Sequence, residues 1–234
     1  MTSRPLLLVT GGSRGIGAAV CRKAAAQGYD LLVNYRSDKA AAEAVAADCR
    51  MLSAEAAIVQ GDTATEEGIT AIFAAVDRLG PLHGLVNNAG VVDVTARVEE
   101  FDRARLDRMF AVNVIGKIRC ATEAVRRMST KHGGQGGVIV NISSMAAVIG
   151  SPGQYVDYAA AKAAVDTACP AKSRPRVSGS MPSGPGSSIP KSTHPVDCRT
   201  GRAIWLPSFR CKGPERRTKW PTAFFISSRL RHPM

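Results

Sequence analysis

Leu6-Leu7-Leu8-Val9-Thr10-Gly11-Gly12-Ser13-Arg14-Gly15-Ile16-Gly17 is the stretch from which the rest of the chain can be read. A continuous apolar run enters a glycine-rich turn, and residues 18–27 behind it have the composition of a helix that Gly28 ends. An apolar run without alternation has both faces covered, as strands of parallel sheets do. The unit then recurs. Residues 31–35 form a second apolar strand, followed by an alanine-rich helix from about residue 38 to 53. Residues 56–60 are a third strand with Gly61-Asp62 at its end, and Thr63 with Glu66 predicts a capping box for a helix reaching Leu79. A fourth strand, 82–86, stops at Asn87-Asn88-Ala89-Gly90, and a long helix covers about 103–130. Residues 138–142 are a fifth strand, and a helix opens near Tyr158. Strands alternating with helices predict an α/β fold: a doubly wound parallel sheet, helices on both faces, incomplete at its C-terminal end. Ligands of such sheets sit beyond the carboxyl ends of the strands, which is where the unusual residues cluster.

The glycines of the first turn let the backbone bend tightly and approach a pyrophosphate, whose charge then rests on the next helix N-terminus. Further along, Tyr158 and Lys162 are four residues apart on one helix face. A free tyrosine, with a pKa of about 10, is a poor acid or base at neutral pH, and a neighbouring ammonium favours its phenolate. Tyr155 has Ala159 at the equivalent spacing and so lacks such a partner.

Taken together, Thr10-Gly11-x-x-x-Gly15-Ile16-Gly17, Asn87-Asn88-Ala89-Gly90, Asn113, Ile142-Ser143-Ser144 and Tyr158-x-x-x-Lys162 resemble the ordered motifs of the short-chain dehydrogenase/reductase family over nearly all of residues 5–167. The resemblance implies a Rossmann-type fold and hydride transfer between a nicotinamide cofactor and a carbonyl or alcohol. It implies Tyr158 as general acid/base, Ser144 as hydrogen-bond donor to the substrate carbonyl, and Asn113 as the holder of a proton-relay water. Ser144 is preferred to Ser143 because its separation from Tyr158 is nearer the family's. Lys162 would hold the nicotinamide ribose and lower the tyrosine pKa. The cofactor would lie along Thr10, Gly11, Ser13, Arg14, Gly15, Ile16, Gly17, Asn88, Ala89, Gly90, Tyr158 and Lys162, with Asp62 at the adenine edge. Within the family, the similarity is to 3-oxoacyl-carrier-protein reductases and related glucose dehydrogenases, usually dimers or tetramers.

Cofactor choice follows from charge. An NAD site places Asp or Glu after the second strand to accept from the ribose 2′-hydroxyl. Here that place reads Asn34-Tyr35-Arg36-Ser37, with no acid before Asp38. Arg36 together with Arg14 suits a 2′-phosphate, so NADP(H) is expected, with Tyr35 and Arg36 in its site.

Composition divides the chain in two. The net charge is +12, yet residues 168–234 hold 13 of the 31 Lys+Arg and only Asp197 and Glu215 of the 19 acids. Ten of the 13 prolines fall there too. We therefore read residues 1–167 as the cofactor-binding and catalytic domain and 168–234 as a basic, irregular tail. Back-translated residues 177–186, read from the third base of each codon, permit I-R-V-N-A-V-R-P-G, which matches the missing sixth strand and its Pro-Gly turn. This points to a frameshift near Thr167, in the gene or in its determined sequence. Shifted reading of a GC-rich gene yields Arg, Pro and Ser, so nucleic acid is not expected as a partner despite the charge. The alternatives to the oxidoreductase reading are a nucleotide-binding chain without turnover and, behind it, nucleic-acid binding through the basic tail. The six cysteines form no CxxC pair and no pattern with the histidines, so no metal is expected, and His83 and His132 read as structural or exposed. The start is too short an apolar run for a signal peptide, and no run reaches membrane-span length, which makes the cytoplasm the expected compartment.

Overall fold

A computed structural model describes residues 4–168. The expected frameshift and the segment beyond it lie outside the described residues. The five strands are β1 (Leu6–Val9), β2 (Asp30–Tyr35), β3 (Ala56–Gln60), β4 (Leu82–Asn87) and β5 (Val138–Asn141). They form one parallel sheet in the order β3-β2-β1-β4-β5. The helices are α1 (Gly15–Ala26), α2 (Lys39–Met51), α3 (Glu66–Leu79), α4 (Arg103–Phe110), α5 (Gly116–Met128), α6 (Ala146–Ile149) and α7 (Val156–Ala168).

Alternation along β1 explains the two-sided core. Leu6 and Leu8 point to one face and meet Ile69, Ile72, Phe73 and Val76 of α3 with Cys120, Ala124 and Met128 of α5. Leu7 and Val9 point to the other and meet Ala18, Cys21, Ala24 and Ala25 of α1 with Val45 and Cys49 of α2. A strand buried on both sides has no polar face to display, which is why these strands read as mainly apolar runs. The doubly wound sheet is therefore as the sequence predicts.

Caps set the helix starts. The Asp38 carboxylate accepts from the Ala41 N–H at 2.9 Å and begins α2. For α3 the predicted cap is corrected: Thr65, not Thr63, takes the Gly68 N–H at 3.0 Å. Thr63 cannot serve because it belongs to a turn in which the Asp62 carboxylate accepts from the Ala64 N–H at 2.9 Å. Its own carbonyl lies against Gly116, where a Cβ would come within 2.2 Å of it. The long helix after β4 is two α segments joined by a π-helical turn, Ala111–Ile115.

The chain winds outward from β1 in both directions, through β2 and β3 on one side and β4 and β5 on the other. That reversal separates the loops following β1 and β4 and opens a crevice at their carboxyl ends.

Candidate active site

A cleft of ≈ 530 Å³ occupies the crevice. Of the residues predicted for the site, Gly11, Ser13, Arg14, Ile16, Arg36, Asp62, Asn88, Ala89, Gly90, Tyr158 and Lys162 line it. Thr10, Gly15, Gly17, Tyr35, Asn113 and Ser144 are not part of its lining. Several of these stand behind the wall and shape it. The Thr10 hydroxyl accepts from the Asn88 and Ala89 N–H groups at 3.0 and 3.1 Å and donates to the Val86 carbonyl at 3.3 Å. The Asn88 amide donates to the Thr10 and Gly11 carbonyls at 3.0 and 2.9 Å, welding the first turn to the loop after β4. Gly17 is required by this proximity, since a Cβ there would sit 2.5 Å from the Gly11 oxygen and 2.6 Å from the Asn88 amide nitrogen. Tyr35 is buried beneath the cleft rather than within it.

Asn34 was not among the predicted site residues. It is 2% exposed in the middle of the sheet. Its oxygen accepts from the Gly11 N–H at 3.1 Å, and its amide donates to the Val59 and Gly61 carbonyls at 3.3 and 3.0 Å. One side chain thus ties the ends of β1, β2 and β3 together. The available signal was a polar residue inside an apolar strand, which must find partners or cost free energy.

The cleft fits a dinucleotide. α1 opens onto it at Arg14, whose side chain makes no capping bond, so the first-turn N–H groups are available to an anion. Gly11 and Gly15 adopt φ of 60° and 54°, and an added Cβ at Gly15 would meet nothing within 4 Å, so only backbone conformation requires glycine there. Arg14, Arg36 and Asp38 share one end. Arg14 pairs with Asp38 at 3.2 Å, both side chains being solvated.

At the other end, Asn113 lies in the π-helical turn. Its amide oxygen accepts from the Val91 N–H at 3.2 Å, and its amide nitrogen donates to the Val91 and Met109 carbonyls at 2.8 and 3.1 Å. Single wide turns of this kind free main-chain groups and recur at functional positions. The neighbouring wall is held by Arg105. Its guanidinium meets the Asp157 carboxylate at 2.7 and 3.3 Å, donates to the Val94 carbonyl at 2.8 Å and stacks 4.4 Å over Phe101. Asp157 in turn accepts from the Tyr158 N–H at 2.9 Å. The Tyr155 hydroxyl accepts from Thr95 at 2.7 Å.

Tyr158 is half-buried, and its burial, offset in part by the neighbouring Ser144 side chain, holds the phenol above its usual range. The Lys162 ammonium lies 5.4 Å from the centroid of the Tyr158 ring and donates to the Ile142 carbonyl at 2.9 Å. Burial brings that lysine down to about 8, against the pull of Asp166 upward. Burial of the ring is thus the largest effect on the phenol. Ser143, the alternative serine, lines the cleft with its buried hydroxyl unpartnered. His83 is structural, its Nδ1 accepting from the Leu6 N–H at 3.2 Å. No cluster of potential metal ligands occurs among the described residues. No described helix is long and apolar enough to cross a membrane.

The comparisons follow this geometry. Residues 5–171 match the family described as short chain dehydrogenase. The uncharacterized oxidoreductase YgfF of Escherichia coli (strain K12) is 45% identical over 163 residues, covering 69% of this chain and 66% of that protein. The crystal structure of a 3-oxoacyl-[acyl-carrier protein] reductase from Brucella melitensis aligns with a TM-score of 0.65 at 32% identity, covering 71% of this chain and 68% of that one. A xylitol dehydrogenase solved with NAD+ bound aligns at 0.64 and 29% identity, covering 70% and 61%. The match to the curated relative spans just under two thirds of that protein's length.

Proposed function

This chain belongs to the short-chain dehydrogenase family, and from that premise we propose that it interconverts a carbonyl and an alcohol using NADP(H), with Tyr158 moving the proton. One observation carries the reading: a half-buried phenol beside Ser144 and faced by Lys162, at one end of a cleft whose other end is an uncapped helix N-terminus. When bound, a nicotinamide dinucleotide supplies or takes up the hydride. In the reduction direction Tyr158 gives its hydroxyl proton to the substrate oxygen; burial by itself makes the phenol a weaker acid, so a charge that favours the phenolate is needed for the transfer. Ser144 donates to the same oxygen while Lys162, charged below about pH 8, stabilises the phenolate left behind. Asn113 holds the loop at Val91, so its own oxygen is engaged before any water is considered.

NADP(H) over NAD(H) is supported by Arg36 and Arg14 at the far end of the cleft. No carboxylate stands at the end of β2, and that of Asp38 is engaged by the Ala41 N–H and Arg14. Asp62, which faces the same end, is read as the adenine contact. The second reading, dinucleotide binding without turnover, is favoured by the family match ending at residue 171 of 234.

The test is NADPH oxidation by the full chain with simple ketones and 3-oxoacyl thioesters, beside NADPH binding by fluorescence. Tyr158→Phe is expected to lower turnover by about 10²-fold or more with NADPH still bound, and Tyr155→Phe to retain most activity. Equal behaviour of the two variants would refute the assignment of Tyr158. Binding without turnover in the unaltered chain would establish the second reading.

A further inference from the structure

Lys117 and Lys162 are the two buried lysines among the described residues. Lys162 has a place in the proposed chemistry and Lys117 has none, although at 3% exposure its amine sits where an apolar side chain would cost less to bury. Lys117 lies four residues after Asn113, on the same side of the helix, and reaches the carboxyl end of β4 from α5. There its Nζ donates to the main-chain oxygen of Asn87.

That oxygen has a second donor, the Ile142 N–H at 3.1 Å. The carbonyl of the same residue, Ile142, accepts from Lys162 Nζ at 2.9 Å. The two lysines therefore grip, from α5 and α7, two carbonyls separated by a single hydrogen bond. The Asn87 side chain closes the arrangement, donating to the Lys117 carbonyl at 3.0 Å and to the Asn141 side-chain oxygen at 2.9 Å. We infer that Lys117 is a positioning residue for the Tyr158–Lys162 pair, acting through the Asn87 and Ile142 peptides; the inference rests on the reading of that pair given above.

It acts by geometry rather than by charge. Burial, and after it the Lys162 ammonium, holds Lys117 well below the ordinary lysine range. The other titratable group acting on it, Cys120, is pushed up to about 12 by burial and stays a neutral thiol. On the far side Asp166 pulls Lys162 upward. What Lys117 supplies at Asn87 is a hydrogen-bond donor. Its loss frees the end of β4, shifts the Ile142 carbonyl and slackens the hold on the ammonium over the Tyr158 ring. A cation held less firmly stabilises the phenolate less.

The experiment is an NMR titration of the Lys162 side-chain amine in the full chain, identified by its absence in Lys162→Met. Lys117→Met removes the donor to Asn87, and the Lys162 midpoint is expected to fall by about half a unit or more as the Ile142 carbonyl that accepts from the ammonium slips away. Lys117→Gln keeps a side-chain donor and is expected to restore the original midpoint. In turnover, Lys117→Met should lower kcat with little change in KM, the pattern of a loss felt at the reacting groups. An unmoved midpoint in Lys117→Met, or an equal fall in Lys117→Gln, would overturn the inference. Lys117→Leu is the second apolar variant; if neither it nor Lys117→Met folds, Lys117 is a folding residue and the inference fails. The titration needs no turnover, so it fails separately from the oxidoreductase reading, which stands or falls on Tyr158→Phe.

Discussion

Removing Arg105 should damage this protein more than its position on a helix surface suggests. The Arg105 and Asp157 side chains are 9% and 0% exposed, so neither ion is solvated. All three guanidinium nitrogens are committed, to Asp157 and to the Val94 carbonyl. Arg105→Ala therefore strands the Asp157 carboxylate in the wall beside Tyr158 and leaves the Val94 oxygen without that donor. Breaking a buried pair from one side costs about 3–5 kcal/mol. Set against a total stability of about 5–15 kcal/mol for an ordinary domain, that is a large fraction. Asp157→Ala should cost about the same, because it strands the guanidinium. The double replacement Arg105→Met with Asp157→Leu should recover most of either loss, since well-packed apolar residues replace buried ion pairs at little cost. The assay is urea unfolding of the full chain and its three variants, with the interaction taken from the cycle. A loss below about 1 kcal/mol in Arg105→Ala would show the pair to behave as a surface contact, and the reasoning would be refuted. A double variant as unstable as the sum of the singles would refute it equally.

Two further outcomes are expected. The chain should bind NADPH at least about tenfold more tightly than NADH, or about 1.4 kcal/mol, and Arg36→Asp should reverse the preference; equal affinities by fluorescence titration would remove the role given to Arg36. Stability should also carry the signature of Lys162, whose folded value near 8 lies below its ordinary 10.5. The unfolded chain then binds more protons between those limits, so Lys162 makes stability rise with pH from about 8 to 10.5. Cys21 and Cys120, raised from 9.0 to about 12, act oppositely above pH 9. The lysine contribution must therefore be read as the difference between the full chain and Lys162→Met, and a difference independent of pH would contradict it.

What could be read from residue order alone follows from periodicity. Strands covered on both faces leave mainly apolar runs, and each of the five was visible as one, to within a residue or two at its ends. Tyr158 and Lys162 were visible because a helix fixes the relation of residues four apart. Groups that meet only through the fold were not. Nothing near Asn34 announces that β1 and β3 end beside it, and Arg105 meets Asp157 across a separation of 52 residues. The cap of α3 fell to Thr65 because Asp62 claimed the turn in which Thr63 sits, a competition between neighbours that spacing does not resolve. The state of Tyr158 escaped for a related reason. Its lysine partner can be seen in sequence, whereas the burial that raises the phenol belongs to the assembled cleft.

The wide turn at Ala111–Ile115 has a consequence for how this stretch can change. Each residue of an α-helix rotates the next by about 100°, and a π turn absorbs an extra residue without the full advance. It thereby sets the rotational phase between α4, which aims Arg105 at the start of α7, and α5, which aims Lys117 and Cys120 at the sheet. Deleting one residue there would let a regular helix run through from Arg103 while leaving α5 in nearly its present phase, so Lys117 and Cys120 would keep their places. What would go is the wide turn itself, and with it the setting that aims Asn113 at the Val91 loop. Elsewhere in the same helix no such slack exists: one residue gained or lost in its regular part would turn everything beyond by roughly 100°. The turn is thus a slip joint, the one place between Arg105 and Lys117 where length can change and both ends stay engaged.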